Sequence, residues 1–239
     1  MARQNPFDQK KASILAEIQS LQPDLSPKGD VDVLCYPIME LINSHNDMVT
    51  TSSCSGRLSV FIEGTKSHNG LQKSGGKGEG GRWLYVTHDV NEVRGWLDKI
   101  NPDTFTFAQE DFTHLIGDSV SGKRLALYKY EPFILHVKCR DFAVASKLYN
   151  TAMSCGFRES GIGSNNLVAI RINIRLDIPI GFLDETTNKI TCCVFPHYIK
   201  FIDELTVSKF EENKKKMQVF YDRVESNMFE TAGVNTSLD

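Results

Sequence analysis

The densest group of chemically capable side chains in this chain is the run from Thr50 to Arg57, which reads Thr-Thr-Ser-Ser-Cys-Ser-Gly-Arg. Hydroxyls, a thiol and a guanidinium at such close spacing are costly to bury without hydrogen-bond partners. Turns that contain glycine can also aim backbone N–H groups at an anion. We interpret the run as a strand end and tight turn that form the floor of a ligand site. The alternative is a serine-rich turn that only caps a strand.

Further polar residues recur where other strands are predicted to end, and a sheet would hold such residues rigidly with their tips accessible. They are Asp47, His88 with Asp89, Glu131, His136, Ser160 with Gly161, and Arg171. Each has a structural alternative: His88-Asp89 could be a helix N-cap, His136 a hydrogen-bonded core histidine, and Glu131 a strand terminator.

Three familiar enzyme motifs are not matched. Gly76-Lys77 lacks the Ser or Thr of a phosphate-binding loop, Gly161-Ile162-Gly163 follows a predicted helix, and Ser53-Cys54-Ser55-Gly56 lacks the first glycine of a nucleophile elbow. Cys54 as a nucleophile beside a histidine is a further alternative.

Composition predicts a cytoplasmic globular protein. The chain has 239 residues, 41% of them apolar and 24% charged, with a net charge of −3. No apolar run reaches membrane-spanning length, and the N-terminal residues lack a signal-peptide core. Six cysteines without a Cys-x-x-Cys pair favour neither a disulfide framework nor a metal site. Local basic groups, Lys73 to Arg82 (which includes Lys77) and Lys214 to Lys216, suit RNA.

The order of predicted elements favours an α+β fold, a single domain over 1–228 with a mixed, curved β-sheet flanked by helices. Residues 64–81 are predicted to be a mobile glycine-rich loop and 229–239 a disordered tail. Helices are predicted from Asn5 to about Leu21, around Ile38 to Ile42, and over 91–100, 141–155 and 196–228. In the last of these, Phe201, Leu205 and Val207 are the residues expected to face inward. Strands are predicted over 47–53, 58–62, 83–86, 104–108 and 167–176, with an irregular pass from Pro179. Residues 125–130 and 133–138 give one long strand or two short strands interrupted at Glu131-Pro132.

Five segments together resemble the tRNA wybutosine-synthesizing methyltransferase family. They are Thr50 to Arg57, Gly80 to Asp89 (GGRWLYVTHD), Glu131 to Val137 (EPFILHV), Gly156 to Ile162 (GFRESGI) and Val168 to Arg171 (VAIR). The resemblance implies methyl transfer from S-adenosylmethionine to a ring nitrogen of a tricyclic guanine derivative beside the phenylalanine anticodon. It also implies an unusual fold for the methyl donor, in agreement with the absence of a doubly wound pattern.

Under this resemblance, the residues divide into three expected roles. The expected base is His136, with Glu131 or Asp47 as alternatives. The expected donor-binding residues are Ser53, Cys54, Ser55, Gly56, Ser160 and Gly161. The expected substrate-binding residues are Arg57, His88, Trp83, Arg171, Lys77 and Arg82. Arg57 suits a carboxylate or a phosphate, and Trp83 or Tyr85 suits base stacking.

The expected partner is phenylalanine tRNA carrying the precursor base. A monomer is expected, without a membrane or a stable protein partner. The alternative function is a non-catalytic tRNA-binding module that uses the same cleft.

Overall fold

A computed structural model describes residues 5–20, 31–64, 80–108 and 123–229. Lys77, residues 65–79 of the glycine-rich segment and residues 230–239 of the predicted tail lie outside the described residues. The predictions for those residues stay predictions.

The described residues form an α+β fold, as predicted. The helices are α1 (Pro6–Ile18), α2 (Tyr36–Ser44), α3 (Phe142–Ser154) and α4 (Pro196–Phe229). The strands are β1 (Met48–Ile62), β2 (Arg82–Thr87), β3 (Phe105–Phe107), β4 (Arg124–Cys139), β5 (Gly161–Ile162), β6 (Leu167–Arg171), β7 (Leu176–Asp184) and β8 (Lys189–Cys192). Short 3-10 turns occupy Val33–Cys35, Val90–Glu92, Leu97–Lys99 and Ser164–Asn166.

The strands form one mixed sheet with the order β2-β1-β4-β7-β8-β3, and β6 pairs with both β4 and β5. The β3–β8 pair is parallel, whereas β1–β2, β4–β6, β4–β7, β5–β6 and β7–β8 are antiparallel. The mixed sheet confirms that part of the prediction.

The chain divides into two compact units. The first unit comprises Met1–Ser55, Pro132–Asn173 and Glu212–Asp239, and the second comprises Gly56–Glu131 and Ile174–Glu211. Strands β1 and β4 and helix α4 contribute residues to both units. The predicted single-domain boundary stays a prediction.

In the first unit, alternation along β4 decides which side chains face the core. Phe133, Leu135, Val137 and Cys139 are buried, while the residues between them, His136 included, are only half-buried. The buried face packs through Phe133 against Phe157 and Phe220, with ring centroids 6.0 and 6.4 Å away. Because side chains alternate along a strand, this packing directs His136 to the other face of the sheet.

A buried asparagine on α4 joins the two long strands within the first unit. Asn213, only 2% exposed, donates from Nδ2 to the carbonyl of Ser55 at 2.7 Å and accepts the Phe133 N–H at 2.8 Å through Oδ1. Two backbone groups, one from β1 and one from β4, are thereby satisfied by a single side chain. The backbone beside the polar run therefore depends on a residue far along the chain.

Local sequence signals account for the helix ends. Asn5 Oδ1 accepts the Phe7 N–H at 3.0 Å, and Asp141 Oδ1 accepts the Val144 N–H at 2.9 Å, as expected of N-caps. Gly156, with φ of +90°, ends α3 in a conformation that favours glycine.

In the second unit, a buried carboxylate organises the contact between α4 and the sheet. Asp203 Oδ1 accepts from Trp96 Nε1 and from the Tyr128 hydroxyl, each at 2.9 Å. Burial raises the pKa of Asp203 to about 6. The carboxylate is therefore charged at neutral pH. The hydrogen bonds from Trp96 and Tyr128 offset only part of the free-energy cost of burying this charge.

Several sequence predictions are wrong in detail. Residues 91–100 form short 3-10 turns instead of a helix, and Gly95, with φ of +80°, lies between them. The strand predicted over 167–176 ends at Arg171, and a separate strand, β7, begins at Leu176. Pro179 lies within β7, opposite a bulge at Ala126 and Leu127, where a proline is tolerated. Phe201, expected to face inward, is 56% exposed.

Replacing Asn213 with leucine is expected to lower the free energy of unfolding by about 2–4 kcal/mol, because two backbone groups lose their partner in a buried place. Urea unfolding followed by circular dichroism measures this loss. Gln218→Ala is the matched control, since Gln218 is exposed on the same helix and its side-chain amide donates to the exposed side of that helix, at Asp222. Equal stability of the two variants would contradict the bridging role.

Because the pKa of Asp203 is raised on folding, we expect the free energy of unfolding to depend on pH. Its folded pKa is raised, so the cost of burying the charge is full above about pH 6 and disappears as pH falls below the ordinary value of 3.8. Asp203→Asn cannot carry the charge, so its stability relative to the parent should rise from pH 4 to pH 7, by up to about 3 kcal/mol. Urea unfolding midpoints of the variant and the parent, measured from pH 4 to pH 7, test the sign of this change in relative stability. A constant difference would show that Asp203 keeps its ordinary pKa.

Candidate functional site

The polar run lies inside a strand, which corrects the predicted strand end and turn. Thr50 to Arg57 falls within the continuous strand β1. Gly56 adopts φ of +108°, a region that side chains with a Cβ rarely enter, so the strand continues here only because residue 56 is glycine. Thr51 and Ser52 are exposed, Ser53 and Cys54 are half-buried, and Ser55 is buried.

Ser55 is engaged by the protein itself. Its backbone N–H donates to Oδ2 of the buried Asp32 at 2.8 Å, and its carbonyl accepts from Asn213. Ser53 donates to the thioether of Met39 at 3.3 Å, and a thioether is a weak acceptor that a ligand can readily replace. Of these two serines, Ser53 is therefore the better placed to bind a ligand through its hydroxyl.

His136 lies next to a serine that sequence reasoning missed. Ser52 Oγ is 2.8 Å from His136 Nδ1, and the neighbouring Thr51 hydroxyl donates to the His136 carbonyl at 3.3 Å. The two residues are 84 positions apart, and the contact exists because β1 and β4 are neighbours in the sheet. No local pattern in the sequence indicates such a pair.

The other ring nitrogen faces an arginine. Arg171 Nη2 lies 3.4 Å from His136 Nε2. A guanidinium only donates, so Nε2 must present its lone pair, and the proton of the neutral ring must lie on Nδ1. His136 Nδ1–H then donates to Ser52 Oγ. The contacts thus select one tautomer and leave Nε2 as the basic atom.

Burial and charge both act on the protonation of His136. Partial burial, and secondly the positive charge of Arg171, lower the pKa of His136 below its ordinary value of 6.5. The imidazole is therefore neutral at physiological pH. A neutral imidazole with an unprotonated Nε2 can accept a proton from a substrate.

The sheet surface beside His136 is open. In the strand register, His136 is opposite Ala169, and Ala169 is opposite Gly161. A Cβ added at Gly161 would have nothing within 4 Å. Ser160 Oγ accepts the Arg171 N–H at 3.1 Å, which ties these predicted residues together. The row His136, Ala169 and Gly161 therefore leaves room for a ligand.

The second unit contains another predicted group of site residues. Arg57 Nε pairs with Glu131 Oε2 at 2.7 Å, and its guanidinium lies 5.5 Å from the centroid of the Trp83 ring. Trp83 is 37% exposed and has an edge contact with Phe61. Glu131 thus holds Arg57 beside the partly exposed indole, and an aromatic ring next to a cation is a common arrangement for binding a nucleic-acid base.

The remaining predicted residues have other surroundings. Asp47 pairs with Arg140 at 2.5 Å, and Arg140 also binds Asp8, so these contacts favour a structural role for the Asp47 carboxylate. Arg82 has a buried Nε with no hydrogen-bond partner among the described residues. His88 is half-buried and follows β2. The roles predicted for these residues stay predictions.

Residues 9–226 match the family model Methyltransferase TYW3. The chain belongs to this family. It is 62% identical over 241 residues to tRNA wybutosine-synthesizing protein 3 of Saccharomyces cerevisiae, a match covering 100% of this chain and 88% of the relative. It is 39% identical to the protein of the same name from Schizosaccharomyces pombe, over 92% of this chain and 86% of the relative.

A solved structure of the same fold is that of the PH1069 protein from Pyrococcus horikoshii OT3. It superposes with a TM-score of 0.64 at 26% identity, covering 92% of this chain and 94% of that protein. Membership of the TYW3 family makes this chain a methyltransferase, which confirms the resemblance. The described residues include no helix with the length and apolar character needed to cross a membrane.

The tautomer of His136 gives a direct test of the site geometry. Long-range proton–nitrogen NMR spectra at pH 8 should show a protonated Nδ1 and an unprotonated Nε2 for this residue, with His136→Gln identifying its signals. The titration midpoint should lie below the ordinary value for histidine. A predominantly Nε2-protonated ring would contradict the contact with Arg171.

Proposed function

We propose that this TYW3 family methyltransferase transfers a methyl group from S-adenosylmethionine to a ring nitrogen of the tricyclic wybutosine precursor in phenylalanine tRNA. The chain methylates tRNA in wybutosine synthesis, as its family and its curated relatives indicate. The proposal adds the donor, the acceptor atom and the roles of residues. The observation that carries these roles is the neutral His136, whose Nε2 is unprotonated on an open sheet face.

The residues of the first unit suit the polar groups of this donor. S-adenosylmethionine supplies an electrophilic methyl group on a positively charged sulfur. Ser53 and Ser160 offer hydroxyls for its ribose or amino acid groups. Cys54 and Gly161, which follow these serines in the sequence, are half-buried and are proposed to line the same site. Gly56 contributes through its backbone conformation, and Ser55 through its hold on Asp32 and Asn213.

His136 is proposed to take the proton that the ring nitrogen loses. Nδ1–H stays on Ser52 while Nε2 accepts, so the positive charge that forms on the ring is stabilised by the serine oxygen. Glu131 pairs with Arg57, and Asp47 pairs with Arg140, so neither carboxylate is as available as this imidazole. These ion pairs therefore disfavour Glu131 and Asp47 as the general base.

The second unit is proposed to bind RNA through Arg57 and Trp83. The indole face suits an unstacked base, and the guanidinium suits a phosphate or a carboxylate. The alternative of a non-catalytic tRNA-binding module is not retained, because the family is one of methyltransferases. The monomeric state and the cytoplasmic location stay expectations from the sequence.

His136→Gln is expected to lower kcat/KM for tRNA methylation by about 10²–10⁴-fold, the usual contribution of a general base. The assay uses isotopically labelled S-adenosylmethionine with tRNA from cells lacking the enzyme, and mass spectrometry locates the label. Donor affinity, measured by calorimetry, should stay within about threefold of the parent, since a base acts mainly in the transition state.

The matched control is His197→Gln, because His197 is an exposed histidine on α4. Its activity should equal that of the parent. Full activity of His136→Gln would exclude the proposed base. A parent protein without saturable S-adenosylmethionine binding would exclude the proposed donor.

A further inference from the structure

Arg171 differs from the arginines that have a carboxylate partner. Within the described ranges, the arginines that form ion pairs are Arg57, Arg94, Arg124 and Arg140. Arg171 is exposed at the end of β6, and its guanidinium contacts His136 Nε2 at 3.4 Å. This contact is long for a hydrogen bond and uses only one of five N–H donors. The guanidinium is therefore available for a stronger acceptor.

The backbone of Arg171 is held in place while its side chain faces open space. Its N–H donates to Ser160 Oγ at 3.1 Å, and its carbonyl accepts the Glu159 N–H at 3.3 Å. Gly161, next in sequence to Ser160, leaves the adjoining surface clear. An exposed guanidinium on a firmly held backbone, beside an open surface, suits the two-point recognition of a carboxylate or a phosphate.

We propose that Arg171 binds an oxyanion of the substrate complex, and that this binding releases Nε2 of His136 for proton transfer. The shared chemistry is a singly charged oxyanion, either a carboxylate or a phosphodiester. Arg171 is thus a positioning residue that couples occupancy of the site to the basicity of His136. The proposal rests on the proposed function only for the use to which the released base is put.

The coupling follows from the groups that surround the imidazole. Ser52 from β1 and Arg171 from β6 are its described side-chain partners, and Lys138, the next residue on the same face of β4, donates instead to the Asn165 carbonyl. The bare guanidinium disfavours a second positive charge on His136. An oxyanion on Arg171 cancels that effect, so the ring becomes more basic when the site is filled. By linkage, a protonated His136 also binds the anion more tightly.

The test is an NMR titration of His136 in the full chain at constant ionic strength, with sodium acetate as the carboxylate probe and dimethyl phosphate as the phosphodiester probe. Saturating anion should move the titration midpoint toward higher pH by at least about half a pH unit. A response to acetate alone assigns a carboxylate, and a response to dimethyl phosphate alone assigns a phosphodiester. No movement with either anion would overturn the proposal.

Two variants separate this coupling from a general salt effect. Arg171→Gln should raise the midpoint without any anion, because the neighbouring charge is lost, and should abolish the response to the probes. Arg158→Gln removes a different exposed arginine of the same unit and should keep the parent's response. A response of Arg171→Gln equal to the parent's would contradict the proposal.

The NMR titration and the methylation assay test the anion site and the general base separately. An anion-dependent midpoint together with full activity of His136→Gln would keep the anion site and reject the base. Loss of activity in His136→Gln without an anion-dependent midpoint would keep the base and reject the coupling.

Discussion

The first unit depends on one side chain that satisfies two strands at once. Asn213 holds the Ser55 carbonyl of β1 and the Phe133 N–H of β4 from a position on α4 where water is excluded. Buried backbone groups without partners are rare because each costs about 1–3 kcal/mol. Asp32 adds the complementary bond to the Ser55 N–H. Together they fix the part of β1 that precedes Gly56, and hence the backbone of the hydroxyl-bearing run.

The chemistry of the candidate site arises from the opposite face of the same strands. Alternation along β4 places apolar side chains in the core and His136 outside. Cross-strand neighbours then decide its protonation: a serine on one side accepts from Nδ1, and an arginine on the other side faces Nε2. A histidine selected in this way is a weak but available base. In the proposed coupling, its strength depends on what Arg171 binds, which links recognition to reactivity through a single side chain.

Local signals allowed the fold class and many element positions to be predicted. Asn5 and Asp141 cap the N-termini of helices, and Gly156 terminates one, as the chemistry of these residue types predicts. The prediction of a helix over 91–100 was wrong, because Gly95 adopts a positive φ that a continuous α-helix does not allow. The inward residues of α4 were misjudged at Phe201 and Leu205, which are apolar and yet exposed. The buried side of the helix contains Ile199, Ile202 and Phe210 together with the polar Asp203, Thr206 and Asn213. Apolar character alone therefore does not identify the buried side, because exposed apolar residues are common on protein surfaces.

The sequence named residues of the candidate site but did not indicate the contacts between them. The resemblance indicated His136, Arg171 and Ser160, and the structure brings these residues together. Ser52 was missed because its partner is 84 positions away, and the pairing of Arg57 with Glu131 spans 74 positions. Such contacts follow from strand neighbours, which local periodicity does not encode. The continuation of β1 through Gly56 was missed for a similar reason, since a glycine there equally suits a turn.

The order of the segments along the chain has a consequence for biosynthesis. The first unit needs Glu212 and the residues after it, although Ser55 and Phe133, which Asn213 joins, are translated much earlier. While the chain emerges from the ribosome, β1 and β4 exist without the amide that joins them, and a nascent chain folds only with the residues already made. A messenger that stops at Glu211 would encode every residue of the His136 cluster and still yield a protein without the support for it. The side-chain support for the His136 cluster is thus complete only after α4 has been translated.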